Sequence, residues 1–258
     1  MWQSGDAYEA FMGRWSRRLA ETFVRQLDVP AGRRWLDVGC GTGALTAAVL
    51  AAADPMEVAG VDPSEGFLAA ARERVPDPRV TFTVADAREL PFPDDRFDVV
   101  VSGLVLNFVP DPAAAAAEIK RVTAPGGRAL AYLWDLAQGM ELLRYFWDAA
   151  AELDPEAAEL HEGRRYPLCR PEPFGRLWTD AGLTEVSVSE LTIPTVFTDF
   201  DDYWQPFLGR QGPGPTYLAT LPEARQEQLR ELLRSRLPTK PDGTIPLTAR
   251  AWVARGTA

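Results

Sequence analysis

The chain of 258 residues has few of the side chains on which many enzymes and binding proteins rely. It contains one histidine, two cysteines and only two lysines, Lys120 and Lys240, and its formal net charge is −10. So few histidines and cysteines leave no cluster typical of a zinc site. The negative charge disfavours a partner that carries phosphates. We therefore expect no metal ion and no nucleic-acid partner.

Long apolar runs are also missing. No stretch approaches the ~20 apolar residues that span a bilayer, and residues 1–6 lack the basic and then apolar pattern of a signal peptide. Cys40 lies inside a glycine-rich loop that a disulfide would restrain, so we expect Cys40 and Cys169 to be free thiols in a reducing compartment. These features predict one cytoplasmic domain, 1–258, without a membrane partner.

The most informative stretch is 35–43, with the sequence WLDVGCGTG. An apolar run turns there into a glycine-dense loop, and residues 44–50 follow with helical spacing, which predicts a strand, a tight turn and a helix start. Glycine permits positive φ and lets the backbone approach a ligand closely. The free amides of the first helical turn attract negative charge. The stretch therefore predicts a site for an anionic or zwitterionic molecule.

Two classes of ligand fit these glycines. Gly39, Gly41 and Ala44 match the G-x-G-x-x-A fingerprint of dinucleotide-binding proteins. Gly39, Gly41 and Gly43 equally match the G-x-G-x-G loop of S-adenosylmethionine (SAM) methyltransferases. Asp62 follows at the distance of the acid that binds ribose hydroxyls in such proteins. The loop and Asp62 together predict an adenosine-type ligand and leave its identity open.

The rest of the chain alternates between strand and helix patterns. Five strands alternating with helices predict a doubly wound parallel sheet in the α/β class. These five predicted strands are 33–38, 56–61, 79–84, 97–101 and 128–134, and two further strands are predicted at 183–191 and 247–253. Ser64 and Asp111 are predicted to cap the helices that follow them. The longest other helix patterns are 7–27, 140–153, 173–181 and 223–237.

Five segments, in order, resemble the motifs of class I SAM-dependent methyltransferases of the methyltransferase type 11 group, which includes enzymes of ubiquinone and menaquinone biosynthesis. The segments are 36–43, 60–64, 84–87, 97–110 and 125–127. The resemblance implies a Rossmann-like sheet of seven strands, with the last strand antiparallel, and helical cap insertions. It also implies a SAM-binding core at 30–134, with acceptor-binding elements at 1–29, 135–180 and 192–246.

The same resemblance implies SAM as cofactor and S-adenosyl-L-homocysteine (SAH) as product. Asp62 would accept hydrogen bonds from the ribose hydroxyls, and Asp86, beside the Ala87 amide, would bind the adenine amino group. Asp37 would hold the glycine loop in place through its amides, and Ser102 would contact the methionine amine or serve as a turn serine. The implied cofactor-binding residues are Asp37, Gly39, Cys40, Gly41, Gly43, Asp62, Pro63, Asp86, Ala87, Ser102 and Leu104.

Acceptor recognition is expected in the N-terminal helix and the two insertions, whose aromatic content favours a small apolar or aromatic molecule. The candidate residues are Tyr8, Met12, Arg14, Trp15, Asn107, Trp134, Tyr203 and Trp204. Methyl transfer is a direct in-line displacement, so it needs a general base only when the nucleophile arrives protonated. Asn107 and the single histidine, His161, are the candidate catalytic residues.

The leading hypothesis is therefore a methyltransferase that acts on an O, N or C nucleophile of a small molecule, as a monomer or homodimer. An NAD(P)-dependent oxidoreductase would need a Tyr-x-x-x-Lys pair or an equivalent, and neither Lys120 nor Lys240 provides one. A SAM-binding protein without turnover stays open, because binding residues survive the loss of chemistry. The aspartates Asp199, Asp201 and Asp202 are expected to form a solvated turn rather than a metal site.

Overall fold

The computed structural model describes residues 12–209 and 212–258. The strands are β1 Arg34–Val38, β2 Glu57–Asp62, β3 Val80–Val84, β4 Phe97–Gly103, β5 Thr123–Trp134, β6 Thr184–Phe197 and β7 Ile245–Thr257. The helices are α1 Arg14–Arg25, α2 Ala44–Ala52, α3 Glu65–Arg74, α4 Pro112–Val122, α5 Glu141–Leu153, α6 Glu162–Arg165, α7 Pro171–Asp180, α8 Phe200–Trp204, α9 Pro213–Thr220 and α10 Glu223–Arg236.

The seven strands form one sheet with the order β3-β2-β1-β4-β5-β7-β6. Strand β1 pairs in parallel with β2 and β4, β2 pairs with β3, and β4 pairs with β5. At the far end of β7 the amide of Gly126 donates to the Ala258 carbonyl, and the Ala258 amide donates to the Gly127 carbonyl. This reciprocal pairing is that of antiparallel strands. The predicted Rossmann-like sheet with an antiparallel last strand is confirmed.

Strand β5 begins five residues earlier than predicted. The sequence suggested a turn at 125–127, whereas these residues lie inside β5 Thr123–Trp134. Phe97 pairs with Thr123 and Val99 with Arg128, so the register shifts and the extra residues bulge out of the ladder. Gly126 adopts a φ of +74°, which permits such a bulge. The Pro-Gly-Gly pattern therefore interrupts the register of the strand without ending it.

Strand β6 is also longer than predicted. The buried side chains of Leu191, Ile193, Thr195 and Phe197 keep the two-residue period of a strand beyond residue 191. Pro194 obscures this continuation because proline is rare inside paired strands. Residues 192–197, which the sequence analysis placed at the start of an insertion, thus remain in the strand.

The contacts between Cα atoms divide the chain into two compact units. The glycine-loop unit comprises residues 16–133, 170–191 and 252–258. The aromatic unit comprises, among the described residues, 12–15, 134–169, 192–209 and 212–251. The boundaries 30–134, 1–29, 135–180 and 192–246 for a cofactor core and acceptor elements remain a prediction.

The glycine-loop unit has the two helix caps that the sequence predicts. The Ser64 hydroxyl accepts a hydrogen bond from the amide of Phe67, at 3.3 Å, at the start of α3. The Asp111 carboxylate accepts one from the amide of Ala114, at 3.0 Å, at the start of α4. Each cap satisfies an amide that a helix leaves without an internal partner. Both helices therefore begin where their sequences predict.

The aromatic unit is held together by stacked rings. Phe146 of α5 lies parallel to Phe207, with 4.4 Å between the ring centroids. Tyr203 of α8 is fully buried, and its hydroxyl donates to the Leu142 carbonyl at 3.0 Å. A buried tyrosine keeps a polar atom that needs a partner, and this bond supplies one. Tyr203 thus joins α8 to α5 inside the core of this unit.

Candidate functional site

The glycine loop after β1 is fixed to the end of β2. The amides of Gly39 and Cys40 both donate to the Val61 carbonyl, at 2.8 and 2.9 Å. Gly39, Gly41 and Gly43 have φ values of +74°, +52° and +84°, which side chains with a Cβ rarely adopt. A Cβ on Gly39 would lie 2.5 Å from the Val105 side chain. The sequence therefore needs glycine here for conformation and for space.

Asp62, the last residue of β2, is oriented by two amides of the surrounding loops. One carboxylate oxygen accepts from the amide of Gly41 at 3.0 Å, and the other from the amide of Ser64 at 2.9 Å. Burial raises the pKa of Asp62, while these two hydrogen bonds act in the opposite direction. Each carboxylate oxygen can accept a further hydrogen bond. The group is thus held in one orientation with capacity to bind two neighbouring hydroxyls.

Asp37 and Ser102 lie deeper in the same region and bond within the protein. One Asp37 oxygen accepts from the Thr46 hydroxyl at 2.7 Å, and the other, also buried, has no hydrogen-bond partner. Burial raises the pKa of Asp37 to about 7. The Ser102 hydroxyl donates to the Val38 carbonyl at 2.8 Å. Asp37 therefore anchors α2 through a side chain rather than through the loop amides that the sequence suggested.

Asp86 follows β3, next to the end of β2. The preceding amide, that of Ala85, donates to the Asp62 carbonyl at 3.2 Å. The Arg88 guanidinium beside Asp86 lowers the pKa of that carboxyl to about 2. Ala87 is buried. The geometry brings Asp62 and Asp86 to the carboxyl ends of adjacent strands, one buried and one half-exposed.

Three other predicted cofactor residues line or support this edge. Pro63 is exposed at the start of α3. Leu104 adopts a φ of +64°, rare for a residue with a Cβ, and its amide donates to the Tyr132 carbonyl. Cys40 is buried, and burial raises the pKa of its thiol. A protonated, buried thiol suits a small spacer in the loop and not a nucleophile.

Most predicted acceptor residues in the aromatic unit are buried: Met12, Trp15, Trp134, Tyr203 and Trp204. Tyr8 lies outside the described residues. Arg14 donates to both carboxylate oxygens of Asp202, at 2.8 and 3.1 Å, and its guanidinium lies 4.3 Å from the ring centre of Trp15. Asp202 is therefore half of an ion pair and not merely part of a solvated turn.

The two candidate catalytic residues lie in different units. Asn107 belongs to a single 3₁₀ turn, Leu106–Phe108, which follows β4 in the glycine-loop unit. His161 belongs to the aromatic unit, where its Nδ1 accepts from the Gly163 amide at 2.9 Å. Burial lowers the pKa of His161, which favours the neutral imidazole that a general base requires. Their predicted roles stay predictions.

The sequence analysis missed three residues with unusual surroundings. Glu162 is buried, and its carboxylate accepts from the Trp147 indole at 2.5 Å. Thr195 has a buried hydroxyl oxygen with no hydrogen-bond partner. Arg88 binds Asp86. A repeated D-x-R pattern at 77–79 and 86–88 could have identified Arg88, whereas the burial of Glu162 and Thr195 leaves no local signal.

These residues fit an adenosine-type ligand. A Cβ on Gly41 would meet no atom within 4 Å, so the loop borders open space where the backbone can approach a ligand. Open α/β sheets bind their ligands outside the carboxyl ends of the strands, which is where Asp62 and Asp86 lie. The fold and site define an open-sheet protein with open space and hydrogen-bond acceptors that suit an adenosyl group at this edge.

Comparison with known proteins finds a family match over part of the chain. Residues 36–131 match the family described as a methyltransferase domain. Methyltransferase GfsG of Streptomyces halstedii is 41% identical over 115 residues, which cover 43% of this chain and 41% of that protein. Demethylmenaquinone methyltransferase of Staphylococcus aureus is 40% identical over 115 residues, covering 44% and 46%. The chain thus aligns with less than half the length of these curated relatives.

A solved structure extends the likeness of the fold to nearly the whole chain. The crystal structure of BH2331 from Bacillus halodurans C-125 has a TM-score of 0.60 and covers 93% of this chain and 97% of its own, at 17% identity. Over residues 36–131 the chain is thus similar to the class I SAM-dependent methyltransferases, whose cofactor is SAM, and the likeness of the fold covers nearly the whole chain.

Two further features concern membrane segments and metal sites. Within 12–209 and 212–258, no helix combines the length and the apolar character needed to cross a membrane. In the same part of the chain, no group of three or more His, Cys, Asp or Glu residues is arranged to hold a metal ion.

Proposed function

We propose that the chain transfers the methyl group of SAM to an O, N or C nucleophile of a small molecule, by direct in-line displacement. The observation that carries this proposal is the orientation of Asp62 by the amides of Gly41 and Ser64. A carboxylate fixed in this way is ready to accept hydrogen bonds from a pair of ribose hydroxyls. The family match to a methyltransferase domain supports the same conclusion.

The residues of the glycine-loop unit would hold the cofactor and leave its methyl group free to react. SAM supplies a methyl group that a positively charged sulfur activates. The Gly41 backbone would approach the methionine part, Asp62 would bind the ribose, and Asp86 with Ala87 would bind the adenine. Holding both reactants in line can supply roughly 7–11 kcal/mol of the barrier. The chain therefore needs positioning residues more than a covalent nucleophile.

For the acceptor we propose a small, uncharged molecule with an apolar or aromatic body. The pairing of Arg14 with Asp202 supports this choice, because it leaves little net charge beside Trp15. The residues proposed to contact the acceptor are Tyr8, Met12, Arg14, Trp15, Asn107, Trp134, Tyr203 and Trp204. The name of the Staphylococcus aureus relative, a demethylmenaquinone methyltransferase, favours testing quinols first.

Where the nucleophile arrives protonated, we propose His161 as the general base and Asn107 as the polar residue that orients the acceptor. We propose no nucleic-acid and no membrane partner, and a monomer or homodimer as the assembly. The buried free thiols of Cys40 and Cys169 support a cytoplasmic location, since disulfides are rare there.

Calorimetric titration with SAM, SAH and NADH, followed by turnover on an acceptor panel, tests the proposal. We expect micromolar binding of SAM and SAH, no binding of NADH, and SAH release with one or more neutral quinols or phenols. Binding of NADH alone would support the oxidoreductase alternative. Binding of SAM with no turnover across O, N and C acceptors would favour a SAM-binding protein without catalysis.

A further inference from the structure

Two Asp-x-Arg pairs of nearly identical geometry flank strand β3. Before the strand, one Asp77 oxygen accepts from the amide and Nε of Arg79, at 2.9 and 3.0 Å, and the other oxygen accepts from Nη2 at 2.9 Å. After the strand, Asp86 makes the same three bonds with Arg88, at 2.9, 2.9 and 2.6 Å. The chain thus contains the same side-chain arrangement twice, at opposite ends of one strand.

The two pairs differ in what surrounds them. Asp77 lies at the amino end of β3, and Arg79 also bonds to Asp54. Asp86 lies at the carboxyl end, where the neighbouring amide of Ala85 bonds to the Asp62 carbonyl. Ligands of open α/β sheets bind at the carboxyl ends of the strands. Only the second pair therefore stands at the edge where the adenosyl group is proposed to bind.

The Arg88 guanidinium restricts the Asp86 carboxylate in two ways. A planar guanidinium that contacts both oxygens fixes the plane of the carboxylate, which a lysine cannot do. It also keeps the group ionised, and the pKa of Asp86 is lowered to about 2. The side chain of Asp86 is 44% exposed, so without the guanidinium the Arg88 amide would hold it through one oxygen and the plane of the carboxylate could rotate. Each oxygen retains the capacity for a further hydrogen bond.

We propose that Arg88 is the positioning residue for base recognition, because it holds Asp86 as a fixed hydrogen-bond acceptor that selects a 6-aminopurine over a 6-oxopurine. This inference rests on the proposed function. An adenine amino group donates to the Asp86 carboxylate, whereas the carbonyl of a 6-oxopurine faces the same negative oxygens and is repelled. Selectivity depends on the carboxylate staying in place, since a mobile one could turn away from the carbonyl.

The test compares the affinities of SAH and S-inosyl-L-homocysteine, its 6-oxo counterpart, by calorimetry for the wild type and three variants. Arg88→Ala and Arg88→Lys remove the planar guanidinium that contacts both Asp86 oxygens, and Arg79→Ala is the matched control at the other end of β3. If Asp86 is no longer held in place, its charge-assisted hydrogen bond to the adenine amino group is weakened, which corresponds to an affinity for SAH about tenfold lower. We expect the selectivity for SAH to fall about tenfold in both Arg88 variants and to stay at the wild-type value in Arg79→Ala.

A double variant separates positioning from a direct contact. If Arg88 acts only through Asp86, Asp86→Ala alone and Asp86→Ala combined with Arg88→Ala have the same selectivity. An additive loss, an unchanged selectivity in Arg88→Ala, or an equal loss in Arg79→Ala would overturn the inference. Wild-type protein that binds neither compound would overturn the proposed function and this inference with it, whereas the variants test the inference alone.

Discussion

The buried carboxyl of Glu162 allows a quantitative prediction of stability against pH. Glu162 begins α6, is 5% exposed and accepts a hydrogen bond from the Trp147 indole. Burial raises its pKa from 4.5 to about 7. The substitution Glu162→Gln keeps a carbonyl oxygen for the indole and removes the group that titrates. The variant should therefore differ from the wild type mainly in its response to pH.

The sign follows from the proton balance. Between pH 4.5 and pH 7 the unfolded chain has lost the Glu162 proton and the folded chain still holds it, so rising pH favours unfolding. One pKa unit corresponds to about 1.36 kcal/mol. For a shift from 4.5 to about 7, the wild type should lose about 2 to 3 kcal/mol of unfolding free energy between pH 5 and pH 8 through this group. Above about pH 8, roughly one unit beyond the folded pKa, the loss is nearly complete.

Denaturant unfolding at pH 5, 6, 7 and 8 measures this difference directly. The stability of Glu162→Gln relative to the wild type should increase by about 2 to 3 kcal/mol over this range. Glu156→Gln, at an exposed glutamate nearby in the chain, is the control and should give a flat difference. A flat difference for Glu162→Gln as well would refute the assignment of a buried, protonated carboxyl, and a decrease would reverse its sign.

Four further substitutions test the site and its surroundings. Asp62→Ala should weaken SAH about 10- to 150-fold in calorimetry, because it removes charge-assisted hydrogen bonds of about 1.5–3 kcal/mol; wild-type affinity in a folded variant would contradict the ribose assignment. Gly41→Ala should fold with a slightly lower melting temperature, because its φ is positive, and lose SAH affinity, since its Cβ enters open space; Gly39→Ala should lower the melting temperature further because its Cβ would also lie 2.5 Å from Val105. Thr195→Val should raise the melting temperature by removing a buried, unpartnered hydroxyl. A lower melting temperature would mean that the hydroxyl has a partner.

The order of strands and helices could be predicted because the signals are local. A buried strand such as β4 contains a nearly continuous apolar run, at 97–101, and the glycines after β1 indicate the turn. The extents of β5 and β6 could not be predicted, because partners distant in sequence decide where a strand stops. Taken locally, Pro194 and residues 125–127 indicate the end of a strand. Strands β6 and β5 nevertheless extend beyond them, because they pair with neighbouring strands.

The residues of the candidate site likewise differ in how far their surroundings could be predicted from the sequence. The anchoring of Asp62 by Gly41 and Ser64 follows from one turn and one strand end, so the sequence could place the acid correctly. The contact between Arg14 and Asp202 joins residues 188 positions apart, and nothing local indicates it. The burial of Glu162 is likewise a tertiary property. Sequence reasoning could therefore predict the residues of the candidate site that lie on adjacent loops. It missed contacts between residues that are distant in sequence and meet only in the folded chain.

Three aspartates of the glycine-loop unit, Asp37, Asp62 and Asp86, show how surroundings give one side chain different properties. Burial raises the pKa of Asp37 to about 7, so near neutral pH this group exists in both protonation states. Asp62 is anchored by two amides that offset part of its burial. Asp86 is half-exposed and kept ionised by Arg88. Asp86 is therefore an anion at every physiological pH, and a permanent anion suits recognition of a base amino group. Because its charge is fixed, Asp86 should contribute no pH dependence to cofactor binding near neutral pH, whereas the pKa of Asp37, raised to about 7, makes that residue a group through which pH can act on the site.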